Sequence, residues 1–275
     1  MIIDVHNHFW NYDPVEFGWI GKGMESIRKN FLPEDLFETI SKSGVEGVIS
    51  VQARQSLQET EWLLKLAAEH DFIKGIIGWV PLSADNAAGY LEKYSDNSLL
   101  KGVRHVVQDE PDQGFISGES FNRGISLLKH FGLVYDILIF EHQLPNAILF
   151  VQKHPDQQFV LDHIAKPKIK TNEIKNWSRN LKKLASYENV SCKISGMVTE
   201  ADFRKWTEEQ LKPYFEVVLD AFGAHRLMFG SDWPVCLVAT EYNGWLNLVK
   251  KNISGLSSSE QDQIFYLNAQ RTYNL

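Results

Sequence analysis

Short β-branched or apolar runs alternate with longer segments of helical spacing along the whole chain, the pattern of repeated βα units around a parallel sheet. Eight such runs can be read: IIDVH from Ile2, EGVISVQ from Glu46, IKGIIGWV from Ile73, LKGVRH from Leu100, LVYDILI from Leu133, QFVLDH from Gln158, NVSCKIS from Asn189 and RLMFGSD from Arg226. Between them lie segments such as PEDLFETISKSG, with Pro33 near a helix start and Gly44 past its end, and SLQETEWLLKLAAEHD. A last helix is expected from about Ser257 to Asn268. No Gly/Ser linker, charge block or internal repeat divides the 275 residues. Eight units in one undivided chain predict an α/β fold, a single (β/α)8 TIM barrel over residues 1–275 with a C-terminal helix; a doubly wound open sheet is the alternative drawing.

Composition narrows the function. The formal net charge of −7 and the lack of a dense Lys/Arg stripe argue against nucleic acid, leaving small molecules as the expected partners. No apolar run approaches the ~20 residues that span a bilayer, so no membrane association is expected. The start MIID has neither a basic segment nor a long apolar one, which makes the cytoplasm the expected location. Cys192 and Cys236 form no CxxC and read as ordinary reduced thiols. GxGxxG, GxxxxGK[ST] and GxSxG are absent, so dinucleotide, nucleotide and serine-hydrolase chemistry lose support.

The polar residues fall in a telling place. Nearly every expected strand carries a polar or aromatic residue at its C-terminal end: His6 and His8, Gln52, Trp79, Arg104, Tyr135 or Asp136, His163, Lys193, and Asp232. In a barrel those ends converge on one mouth, where active sites are built. On a regular first strand Asp4, His6 and His8 would share one face, with Ile3, Val5 and Asn7 on the other. Two imidazoles at that spacing can hold one divalent cation or one water; the plainer reading is a hydrogen-bonded pair at a strand edge. His163 would join them, or be a satisfied core histidine. Asp232, in LMFGSDWPV, can bind metal or take a proton from water, although aspartate before a proline-containing loop is often a turn residue. Arg104 and Lys193 would stabilise a developing oxyanion or bind a substrate carboxylate; the plainer reading of each is a salt bridge to Asp4, Asp136 or Asp162. Trp10, Trp79 and Trp233 are expected to stack on a sugar ring, and His105, Tyr135 and Gln52 to contact substrate; the plainer reading is ordinary packing. The remaining histidines, at 70, 130, 142, 154 and 225, read as packing or surface residues.

In chain order, DVHNHFW, VQARQSLQETEWLL, KGVRHVVQDEPD, LDHIAKP, CKISG and FGSDWP resemble the amidohydrolase superfamily, in its branch of sugar-lactone and related lactone hydrolases. The resemblance covers nearly the whole chain. It implies a (β/α)8 barrel that opens lactone or related bonds with an activated water. His6 and His8 match the first-strand pair, His163 the sixth-strand histidine and Asp232 the eighth-strand aspartate. The chain departs from the two-metal members: the fourth strand ends in Arg104 and the fifth, LVYDILIF, has no histidine. The resemblance therefore leaves two options open, one divalent metal (zinc first) on His6, His8, His163 and Asp232, or metal-independent activity. Asp232, His163 and Arg104 are the expected catalytic residues. Fucono-, rhamnono- or galactonolactones are the expected substrates. A dicarboxylate lactone, a metal-dependent decarboxylation and a non-catalytic sugar-binding role are the rivals, and a homo-oligomer is compatible with all of them.

Overall fold

The computed structural model describes residues 1–275. Eight parallel strands, β1 (Ile3–Asn7), β2 (Gly47–Val51), β3 (Ile73–Gly78), β4 (Leu100–Val106), β5 (Val134–Leu138), β6 (Phe159–Leu161), β7 (Val190–Ile194) and β8 (Leu227–Phe229), pair in sequence order. Helices alternate with them: α1 (Pro33–Ile40), α2 (Leu57–Glu69), α3 (Ala87–Ser95), α4 (Glu119–Leu128), α5 (Leu144–Lys153), α6 (Lys175–Ala185), α7 (Glu208–Phe222) and α8 (Tyr242–Asn252). The seam from β8 back to β1 is stitched by individual bonds, with the amide of Asp232 donating to the His6 carbonyl (2.8 Å) and the amide of His8 to the Trp233 carbonyl (2.7 Å). This is the (β/α)8 barrel expected from the alternation. No helix is long and apolar enough to cross a membrane.

Strand residues are almost all buried because helices cover the outside and side chains fill the inside. Ile3, Val5, Ile49, Val51, Ile77, Val134, Val160 and Met228 meet in the barrel interior with Ala269 and Tyr273. Those last two belong to a closing helical stretch, α9 (Ser258–Asp262) continuing through a π-turn (Gln263–Leu267) into α10 (Asn268–Tyr273), which plugs the end of the barrel opposite the mouth. The closing helix thus extends beyond the expected Asn268.

Two departures from regular strands shape the mouth. Between Asp4 paired with Val48 and Asn7 paired with Ser50, β1 has one residue more than β2. This bulge resets the alternation. Ile3, Val5, His6 and His8 consequently face inward, whereas Asp4 turns outward to accept a hydrogen bond from the Tyr242 hydroxyl of α8 (3.1 Å). The expected grouping of Asp4 with the histidines is therefore wrong, since a strand with an inserted residue no longer alternates. After β6, His163, Ile164, Ala165 and Lys166 all have positive φ (51°, 50°, 62° and 46°), so the strand ends at Leu161 in a left-handed turn.

Candidate active site

Four side chains from β1, the turn after β6 and the loop after β8 converge on one point. Asp232 Oδ1 lies 3.5 Å from His8 Nε2, 3.8 Å from His6 Nε2 and 3.9 Å from His163 Nε2. The outer nitrogens are anchored: His8 Nδ1 donates to the Val51 carbonyl (2.7 Å), and His163 Nδ1 meets the Ser195 hydroxyl (2.9 Å). Each anchor leaves Nε2 free to face the carboxylate. The rings of His6 and His163 pack 4.3 Å apart.

Local backbone strain places two of these groups. Asp232 has φ +59°, and the four-residue turn from His163 is left-handed, at roughly 1–2 kcal/mol per non-glycine residue. A bond from α6 and one within the turn hold it: Trp177 Nε1 donates to the Ile164 carbonyl (2.7 Å), and the Lys166 amide to the His163 carbonyl (2.8 Å). Gly196 (φ +65°) completes the fit, because a Cβ there would stand 2.6 Å from His163 Nδ1.

Beneath this cluster lies a closed network of charges. Lys193 is fully buried, with Nζ 2.5 Å from Asp136 Oδ2, 3.0 Å from Asp162 Oδ1 and 3.1 Å from His6 Nδ1. Arg104 pairs with Asp162 (2.9 Å), donates to the Gln52 carbonyl and reaches His6 Nε2 (3.3 Å). The Tyr273 hydroxyl donates to Asp136 from below (3.1 Å). Burial opposes the charge on Asp162, but Lys193, His6 and Arg104 outweigh it and hold this carboxyl well below its usual range. Burial pushes Asp136 up to about 6. His6 is held well below the usual imidazole range, chiefly by burial, and burial lowers His163 to about 4. His6 and His163 are thus neutral at pH 7, as ligand imidazoles must be. For Asp232, burial is outweighed by attraction to His163, the hydrogen bond with His8 and the other imidazoles, so it stays ionised.

Above the cluster opens a cavity of about 750 Å³, and His8, Arg104, His163 and Asp232 reach its surface. The other expected contact residues do not. Lys193 is locked in the network beneath the cluster, and Gln52 is fully buried with its Nε2 donating to the Arg104 carbonyl (3.2 Å). Tyr135 and His105 point outward because their strand neighbours Asp136 and Arg104 point inward. Tyr135 packs among Phe121, Phe150 and Phe159, and His105 binds Glu110 (2.6 Å) and accepts from Trp79 Nε1 (3.3 Å). That bond turns Trp79 away from the cavity. Trp10 is fully buried under the segment before α1, donating to the Lys29 carbonyl (2.8 Å), and Trp233 packs edge-on to Phe9 and Phe31. The cavity wall is instead built from loop residues, notably Trp19, Arg54, Phe140, Lys166, Glu200 and Phe203. Sequence reasoning missed them because loops carry no periodicity, although Arg54 and Lys166 stand inside the quoted VQARQ and LDHIAKP.

The residues fit one divalent ion. The facing atoms of His6, His8 and Asp232 lie within 4.8 Å of one another. Asp162 Oδ1, ion-paired with Lys193 Nζ (3.0 Å), also lies 3.3 Å from His6 Nδ1. It is placed to accept the Nδ1 proton once Nε2 is engaged, the usual support of a ligating imidazole. A second grouping of His6, Asp162 and His163 offers no second site, since Asp162 is already paired with Lys193 and Arg104.

Comparison with known proteins agrees with this arrangement. The family described as Amidohydrolase matches residues 3–275. A protein of Burkholderia multivorans named L-fucono-1,5-lactonase is 37% identical over 99% of this chain and 96% of its own. A second so named, from Burkholderia ambifaria, is 32% identical over 89% of this chain and 85% of its own. A solved B. multivorans amidohydrolase with zinc bound superposes with a TM-score of 0.97 at 37% identity, covering 100% of this chain and 99% of that one. With the eight-stranded barrel and the His6, His8, His163 and Asp232 cluster at its mouth, the chain belongs to the amidohydrolase family.

Proposed function

We propose that the protein is a hydrolase that opens the ring of a sugar aldonolactone of the fucono-, rhamnono- or galactono- type. The observation that carries this reading is the Asp232 carboxylate oxygen facing three Nε2 atoms at 3.5–3.9 Å on the floor of a cavity large enough to admit a sugar ring. The names of the two Burkholderia relatives support the substrate class. Those names do not favour a dicarboxylate lactone, a decarboxylation or simple sugar binding. Simple binding would also leave the strained backbone at His163 and Asp232 without a purpose.

His6, His8, His163 and Asp232 would hold one divalent ion, zinc first, which when bound supplies Lewis-acid activation of carbonyl and water. The chain's own groups do the rest. His163 and His8 orient a water against Asp232, which takes its proton as the water oxygen adds to the lactone carbonyl carbon. Arg104, held by Asp162 and the Gln52 carbonyl, donates to the resulting oxyanion, a contact typically worth about 3 kcal/mol of barrier. When the bond from carbonyl carbon to ring oxygen breaks, Asp232 returns the proton to that oxygen, and the product is an open hydroxy acid.

The test is an aldonolactone panel followed by base uptake, with as-purified and chelator-treated protein and elemental analysis. Asp232→Asn should lower kcat/KM about a hundredfold or more with an unchanged melting profile. Near-normal turnover in that variant removes Asp232 as the base. Absence of base uptake on every lactone removes the hydrolase reading, and carbon dioxide release from a carboxylated ring would point to decarboxylation.

A further inference from the structure

The charged groups that line the cavity above Asp232 differ in how they are satisfied. Arg104 is paired with Asp162. Arg54 is paired with Glu16 and with Glu59, whose carboxylate also accepts from the amides of Ala53 and Arg54. Asp109 is exposed at the rim. Two charges remain. Lys166 has no carboxylate within ion-pairing distance, and its ammonium rests 5.5 Å from the centre of the Phe140 ring. Glu200 is half-buried, and its carboxylate accepts no hydrogen bond from any side chain or amide. The two influence one another electrostatically without touching.

Both are rigidly tied to the reacting centre. Lys166 ends the left-handed turn that begins at His163, and Trp177 pins that turn. Glu200 ends a 3-10 turn (Val198–Glu200) that follows Gly196, the residue whose missing Cβ makes room for His163. A fold gains nothing from leaving an ammonium and a carboxylate unpaired in a partly closed cavity, since half-buried charge without a partner is costly.

The geometry points to Lys166 and Glu200 as the pair that selects the substrate, with Glu200 accepting from ring hydroxyls and Lys166 donating to ring or hydroxyl oxygens of a neutral polyhydroxylated lactone. This rests on the lactonase reading and sharpens it. A carboxylate on this wall repels a substrate that carries a second carboxylate, so the same residue that reads hydroxyl groups also rejects dicarboxylate lactones. A site built to pair with hydroxyls discriminates strongly against an analogue lacking them, because its own polar groups are then left unpaired. Burial pushes the Glu200 carboxyl upward while Lys166 opposes the shift, which fits a carboxylate awaiting a donor.

The experiment compares a six-membered aldonolactone with unsubstituted δ-valerolactone, the latter read as substrate or as competitive inhibitor. Glu200→Gln is expected to lower the preference for the hydroxylated ring at least about tenfold and to tighten inhibition by glutarate. A preference that falls by less overturns the assignment. Lys166→Gln carries the same comparison should Glu200→Gln fold poorly. If the unaltered enzyme opens no lactone, the hydrolase reading fails and this one with it. If it opens the aldonolactone and neither variant moves the preference, only the assignment of the wall falls.

Discussion

Two lysines near the mouth of one barrel show how differently a fold can use the same charge. Lys193, on β7, is fully buried and is held by Asp136, Asp162 and His6. Lys166, on the turn after β6, is half-buried at the cavity wall with no acid beside it. The floor satisfies its charges internally and fixes the imidazoles, whereas the wall leaves charge for whatever enters. Residue type at a strand end therefore announces that the mouth is polar without saying which layer a side chain joins. Removing a floor charge should break this distinction most visibly. Lys193→Met leaves Asp136 and Asp162 short of a cation and should cost about 3–5 kcal/mol of stability, read as a lower denaturant midpoint. A loss below about 1 kcal/mol would mean that the floor is not held by its charges.

The same contrast explains what could be read in advance. The barrel was legible because eight buried parallel strands write eight short apolar runs. His6, His8, His163 and Asp232 were legible because ligating or proton-accepting types recur at strand ends. Their exact facing was not, since the bulge in β1 and the left-handed turn at His163 depend on tertiary bonds that leave no periodic trace. Depth along the strand was equally hidden: Lys193 faces inward yet is fully buried among Asp136, Asp162 and His6 and does not reach the cavity. Sidedness misled at Tyr135 and His105, whose neighbours took the inward positions. Trp10 and Trp233 are large apolar side chains that pack with Phe31 instead of facing solvent. The wall residues lie in loops, where only position after a strand hinted at a role.

If Asp162 owes its lowered pKa to the cations and imidazole around it, a buried carboxylate bonded only by neutral groups should behave in the opposite way. Asp4 is that case. It is fully buried and accepts from the Ser231 amide (2.8 Å), the His6 amide (3.1 Å) and the Tyr242 hydroxyl (3.1 Å). Burial outweighs these bonds and raises its pKa from 3.8 to about 6. The folded chain thus keeps a proton at Asp4 between about pH 4 and 6 that the unfolded chain has released. The contribution is fully present below pH 4 and lost as pH rises through 6, a change of up to about 3 kcal/mol. Asp4→Asn should flatten the stability profile across that window, measured by denaturant titration from pH 4 to 7. An equally steep profile in the variant would show that the seam carboxylate is ionised like Asp162.

The smallest expected effect is the most discriminating, because it concerns the lysine of the wall. Lys166→Met retains an unbranched apolar stem against Phe140 while deleting the ammonium. No carboxylate loses a partner, and the positive φ at this position is unchanged because the main chain is held through His163 and Trp177. Stability should therefore stay within about 0.5 kcal/mol of the parent in the same denaturant titration that reads Lys193→Met. Lysine to methionine is the same chemical deletion in both, so any difference reflects surroundings alone. A loss above about 2 kcal/mol at Lys166 would mean that its charge is already engaged within the fold, and the distinction between floor and wall would dissolve.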